Sequence, residues 1–96
     1  MTSFYVYLIV TNRKKKYISY VGYTINLEKR IDLHNKSKGA KFTRGNKWLL
    51  AYSKTYSSKN IAMKEEYALK HNKKKRYSIK KKFLKKWKSL FYFLIK

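Results

Sequence analysis

The run Phe4-Tyr5-Val6-Tyr7-Leu8-Ile9-Val10 constrains this chain most, because every position in it is apolar or aromatic. A half-solvated strand would alternate apolar with polar residues. An unbroken run of β-branched and aromatic residues instead predicts a strand covered on both faces, hence central in its sheet. Thr11 to Lys16 is polar and basic and reads as a hairpin loop. It is too short for a parallel crossover, so Tyr17 to Tyr23 is expected as an antiparallel second strand. Gly22, near its end, marks a bulge or a close backbone approach. Trp48 to Lys54 supplies a third strand.

Helices must then cover the sheet. Asn26 is a good N-cap, and Leu27, Ile31 and His34 share one face of the helix that follows it. Arg30 lies beside that face, while Glu28 and Asp32 lie opposite it and are expected in solvent; the helix ends near Asn35. Ser57 or Ser58 can cap a second helix, reaching Lys70 or His71, with Ile61, Ala62, Ala68 and Leu69 as its apolar stripe. That spacing puts Glu65 in the middle of the stripe and Glu66 at its edge. Ile79, Phe83, Leu84, Trp87, Leu90, Phe91 and Leu94 recur at helical spacing and predict a basic amphipathic C-terminal helix over 75–94. Fold class follows: α/β, a three-stranded antiparallel sheet flanked by helices, with the first strand in the middle. With 96 residues this is one domain, 1–96, burying little more than ~60% of its unfolded surface.

Charge narrows the partners. A formal net charge of +22 draws the chain to polyanions, of which nucleic acid is the commonest in a cell. Lys far outnumbers Arg and is accompanied by Asn, Ile, Tyr and Phe, so AT-rich coding is a second source of the lysine. There is no Cys, which excludes disulfides and thiolate metal sites. Two His and four acids are too few for a zinc cage; a hard cation on one carboxylate suits them better. Phe4 to Val10 lacks the flanks of a signal peptide, and Leu90 to Ile95 is far shorter than the ~20 residues of a membrane span. The expected location is cytoplasmic. Lys41 to Lys47 is basic with one aromatic, and it fits either a loop on a nucleic-acid backbone or a solvated surface loop.

These residues, taken in order, resemble the GIY-YIG endonucleases. Tyr5-Val6-Tyr7 and Tyr20-Val21-Gly22 look like the two halves of the motif, reading YVY and YVG. Thr24, Asn26-Leu27, Arg30 and His34 fall where that family has its turn, helix start, arginine and histidine. Lys38-Gly39-Ala40-Lys41 with Thr43-Arg44-Gly45 resembles the loop of its small single-domain bacterial subgroup. Glu66-Tyr67 resembles the part of the subgroup's helix that carries the metal-binding glutamate, so the resemblance favours Glu66 where helical spacing favoured Glu65. It covers residues 4–71. Single tripeptides are weak signals; the ordered set is specific.

The resemblance implies a metal-dependent endonuclease hydrolysing phosphodiester bonds in DNA, in repair or recombination. Expected catalytic residues are Tyr7, Tyr20, Arg30, His34 and Glu66. Glu66 would hold one Mg2+ or Mn2+ ion, with no small-molecule cofactor. Tyr20 would take the proton of the attacking water, and Tyr7 would hydrogen-bond it or share its role; which phenol is the base stays open. Arg30 would lower the phenol's pKa and brace the phosphate, and His34 would orient or hydrogen-bond that phosphate. Lys38, Lys41, Arg44, Lys47 and Lys70 are expected nucleic-acid contacts. Two alternatives accompany this reading: a nucleic-acid-binding module without catalysis, and a cationic membrane-surface protein organised around the C-terminal helix.

Overall fold

A computed structural model of the protein describes residues 2–94, with side chains followed through residue 87. Three strands form one antiparallel sheet: β1 (Phe4–Arg13), β2 (Lys16–Thr24) and β3 (Leu49–Tyr56), in the order β2-β1-β3. The long apolar run therefore lies in the middle, and Val6 to Thr11 are buried without a break.

The hairpin is tighter than its polar sequence predicts. β1 and β2 pair out to Arg13 and Lys16, leaving only Lys14 and Lys15 as the turn, at φ of 50° and 68°. Both residues adopt the left-handed backbone that a two-residue hairpin demands. Nothing in a pair of lysines signals that conformation, so the expected loop shrinks from six residues to two.

Alternation along β1 sends its side chains to two different cores. Val6, Leu8 and Val10 meet Val21 of β2 on one face. There α2 (Lys59–Lys70) contributes Ala62 and Leu69, and α3 (Lys73–Leu94) contributes Ile79, Phe83 and Leu84. Tyr7 and Ile9 point to the other face, where they meet Trp48 and, from α1 (Leu27–Asn35), Leu27 and Ile31. Asn26 caps α1, its Oδ1 accepting from the Lys29 N–H at 3.1 Å; Ser58 caps α2. Thus α1 lies on the opposite side of the sheet from α2 and α3.

The apolar stripe of α3 serves the core as far as Leu84, while Trp87 stays 42% exposed. The side chains of Leu90, Phe91 and Leu94 lie outside the described residues. Among the described residues, no helix is long and apolar enough to cross a membrane. On α2 the expected stripe is corrected: Ile61 is 50% exposed and Ala68 is exposed, and the inward residues are Ala62, Glu66 and Leu69. The sheet approaches one position around the helix from where helical spacing placed it, and Glu65 is exposed.

Candidate active site

Tyr7 is the hub of the site. It is 1% exposed, and its ring crosses the neighbouring strand over Gly22, its partner in the β1–β2 register. A Cβ on Gly22 would stand 2.5 Å from the Tyr7 hydroxyl. The close approach that Gly22 signalled is therefore the bed of this phenol. Tyr20, on the same face of β2, pairs across the strands with Ile9, and its ring meets the His34 ring edge-on at 5.2 Å.

His34, in the last turn of α1, is fully buried. Its Nε2 lies 2.8 Å from the Tyr7 hydroxyl and its Nδ1 lies 2.8 Å from Thr43 Oγ1. The Thr43 hydroxyl donates to the Ala40 carbonyl at 2.8 Å. With its only proton committed there, Thr43 Oγ1 can only accept from the imidazole. The proton of neutral His34 thus resides on Nδ1, and Nε2 accepts from the Tyr7 hydroxyl. Burial pushes the imidazole pKa down to about 4, with the Arg30 guanidinium adding to the fall. His34 is therefore neutral at pH 7, with a free lone pair only for Tyr7.

This geometry leaves His34 no nitrogen to offer a phosphate. Both nitrogens are instead engaged by Tyr7 and Thr43. Tyr7, in turn, bonds His34 and not Tyr20. Burial raises the Tyr7 pKa; the nearby Arg30 guanidinium lowers it, and the Tyr20 phenol and Glu66 carboxylate raise it further. His34 bonds this hydroxyl directly, while Arg30, Tyr20 and Glu66, from α1, β2 and α2, lie near enough to influence its titration.

Glu66 comes from α2, across the sheet from α1, and is the half-buried acid whose charge reaches Tyr7. Its side chain is 18% exposed, and it ion-pairs with Lys70 at 3.2 Å. Lys70, expected on nucleic acid, is thus half-exposed and tied to Glu66. Asp32 pairs instead with Lys36 at 2.9 Å, and Glu65 faces Tyr56 and a separate cleft. No group of three or more His, Asp or Glu that could hold a metal exists among the described residues. Among the described residues no protein-built cage is present; a single carboxylate, with waters and phosphate oxygens completing the shell, would suit magnesium or manganese.

The segment between α1 and β3 closes over His34. A 3-10 turn, Lys41–Thr43, presents Thr43 inward and Phe42 outward. Phe42 stacks on Tyr20 at 6.1 Å, and the Arg13 guanidinium lies 5.1 Å from its centroid on donating to the Phe42 carbonyl. The Trp48 indole N–H donates to the Thr43 carbonyl at 2.9 Å. Asn35 brackets the Trp48 backbone, accepting from its N–H at 2.6 Å and donating to its carbonyl at 3.1 Å. Lys38, Lys41, Arg44 and Lys47 line this segment and are all exposed.

The model of the GIY-YIG catalytic domain matches residues 3–93. The chain belongs to the GIY-YIG family. It is 42% identical over 71 residues to UPF0213 protein SH2523 of Staphylococcus haemolyticus, covering 73% of this chain and 83% of that protein. It is 43% identical over 67 residues to UPF0213 protein OB0043 of Oceanobacillus iheyensis, covering 69% and 74%. The solution NMR structure of UPF0213 protein BH0048 from Bacillus halodurans is 35% identical, covers 80% of this chain and 81% of that one, and has a TM-score of 0.45. GIY-YIG domains are nuclease domains, which makes nucleic acid the substrate class. Sequence reasoning assigned no role to Thr43, Gly39, Asn35 or Trp48 in this GIY-YIG chain. A Cβ on Gly39 would stand 2.5 Å from His34 Nδ1. Gly39 and Thr43 stood within the loop resemblance, but only the folded loop brings them to the imidazole.

Proposed function

We propose that the protein is a divalent-metal-dependent endonuclease that hydrolyses phosphodiester bonds in DNA. The observation that carries this reading is the Tyr7–His34 hydrogen bond with the Tyr20 ring against His34, within the electrostatic reach of Arg30 and Glu66. Hydrolysis needs a group that takes the proton of an attacking water and positive charge where the phosphate becomes more anionic. Glu66 would hold the cation, which supplies Lewis acidity toward the scissile phosphate and its leaving oxygen. Tyr7 is the favoured proton acceptor. Its raised pKa makes a standing phenolate unfavourable, but its own proton can pass to His34 Nε2 as it takes one from water. The imidazole is neutral at pH 7, so its Nε2 lone pair is open to that proton, and its burial makes the imidazolium a short-lived state. Arg30 braces the phosphate and balances the developing charge on Tyr7. Tyr20 walls the site against His34 with its ring. The exposed Lys38, Lys41, Arg44 and Lys47 follow the flanking backbone.

The test is incubation of the pure protein with branched, single-stranded and duplex DNA and with RNA, with magnesium, manganese or EDTA, beside Glu66→Gln. Cleavage of DNA that needs the cation and vanishes in Glu66→Gln supports the proposal. Tight, salt-sensitive binding with no cleavage of any substrate would instead leave a nucleic-acid-binding module.

A further inference from the structure

A second basic surface lies on the far side of the sheet. Between the start of β2 and α3 runs an open groove of about 440 Å³, lined by Lys16, Tyr17, Tyr77, Lys80, Lys81 and Leu84. We propose that this groove binds a single-stranded segment of nucleic acid, at a site separate from the candidate active site.

Three observations carry this. First, the groove has an aromatic and aliphatic floor with a purely cationic rim. Tyr77 is 59% exposed, although a surface helix could place any polar residue there. Tyr77, Lys80, Lys81 and Leu84 recur at helical spacing, so they form one face. Second, the walls are fixed before any ligand arrives: Lys80 Nζ donates to the Tyr17 carbonyl at 2.8 Å and ties α3 to β2. Third, residues 73–87 are more than half Lys or Arg and contain no carboxylate. The two ion pairs among the described residues, Asp32–Lys36 and Glu66–Lys70, lie outside α3. Pairs such as Lys81–Lys85 and Lys82–Lys86 repel along the helix, and a polyanion laid beside it relieves that repulsion.

A duplex would hide its bases and use only the rim. A single strand offers both bases to stack on Tyr77 and phosphates to meet Lys16 and Lys81, the combination found in single-strand binding grooves. The groove is also not the active site seen from behind. Tyr17 packs toward the α2–α3 core and Tyr20 toward the α1 core, on opposite faces of the edge strand β2. They are three residues apart, about 10 Å along the strand.

The test measures binding of the full chain, in EDTA, to labelled oligo-dT of about 15 nucleotides and to a duplex of equal length. Tyr77→Ala is expected to weaken oligo-dT binding about tenfold and to leave duplex binding unchanged. Tyr77→Phe keeps the ring and the affinity. Lys16→Ala with Lys81→Ala lowers the slope of log K against log salt for oligo-dT by about 1.4. Thermal unfolding of each variant separates lost binding from lost fold, and the exposure of Tyr77 predicts an unchanged midpoint. The proposal is overturned if Tyr77→Ala changes neither ligand or both alike. It is also overturned if Tyr77-dependent binding to phosphatidylserine vesicles outcompetes oligo-dT, which would make the surface a membrane contact. DNA cleavage plays no part in these readouts, so a failed endonuclease proposal and a failed groove remain distinguishable.

Discussion

The Tyr7 hydroxyl lies where the side chain of Gly22 would begin, with 2.5 Å between that oxygen and the Cβ position. Tyr7 cannot yield easily, because it is buried and hydrogen-bonded to His34. Gly22→Ala is therefore expected to cost about 1–3 kcal/mol through overpacking. By displacing the phenol from His34 it should also lower cleavage about 100-fold. Urea unfolding and single-turnover cleavage measure the two effects. Wild-type activity in Gly22→Ala would sink the central role given to Tyr7.

Thr43 sets which imidazole nitrogen carries the proton. Thr43→Val keeps the shape and removes the acceptor, leaving the buried Nδ1–H without a partner, while the Ala40 carbonyl keeps the Thr43 backbone N–H. The expected penalty is about 1–3 kcal/mol. Imidazole 15N chemical shifts should report protonation at Nδ1 in the wild type and in Thr43→Ser. In Thr43→Val they should move toward protonation at Nε2. Identical shifts in all three proteins would show that Thr43 does not control the tautomer.

Stability should respond to acid through His34. Its pKa falls from 6.5 to about 4 on folding, so the unfolded chain binds the proton more readily between those values. The contribution of His34 is complete above pH 6.5 and is lost as pH falls through about 4. It amounts to about 3 kcal/mol. Denaturant unfolding at pH 7 and pH 4, for the wild type and His34→Gln, isolates this contribution, since the four carboxylates are common to both. The wild type should lose more stability than the variant; an equal loss would contradict a neutral, buried imidazole.

The loop cations decide between a backbone contact and a merely solvated loop. Lys38, Lys41, Arg44 and Lys47 are exposed around the turn that covers His34. Replacing all four with Gln should lower the slope of log K against log salt for duplex DNA by about 3–4 if each meets a phosphate. Titrations in EDTA between low and physiological salt read this directly. An unchanged slope would assign these cations to solvent.

Much of this site was legible because it rests on local rules. Asn26 capping, the α1 face of Leu27, Ile31 and His34, and the central strand all follow from short-range periodicity and side-chain chemistry. What the sequence missed or left open shares one cause. The Lys14–Lys15 turn, the inward face of α2 and the partners of His34 each depend on where a distant element packs. Glu66 rather than Glu65 turns inward because the sheet meets α2 along Ala62 and Leu69, and nothing within residues 59–70 states that direction.

The sequence by itself determined a three-stranded sheet around Phe4–Val10, helices on its faces, a strong attraction to polyanions, and the ordered tyrosines, arginine, histidine and glutamate of a GIY-YIG chain. Only the tertiary structure decided that Tyr7 donates to His34, that Thr43 holds the imidazole in that state, and that two glycines make room for the pair. The physical reason is range. Strand and helix patterns are written in residues a few positions apart, whereas Tyr7 and His34 are 27 positions apart and meet only because β1, β2 and α1 pack together.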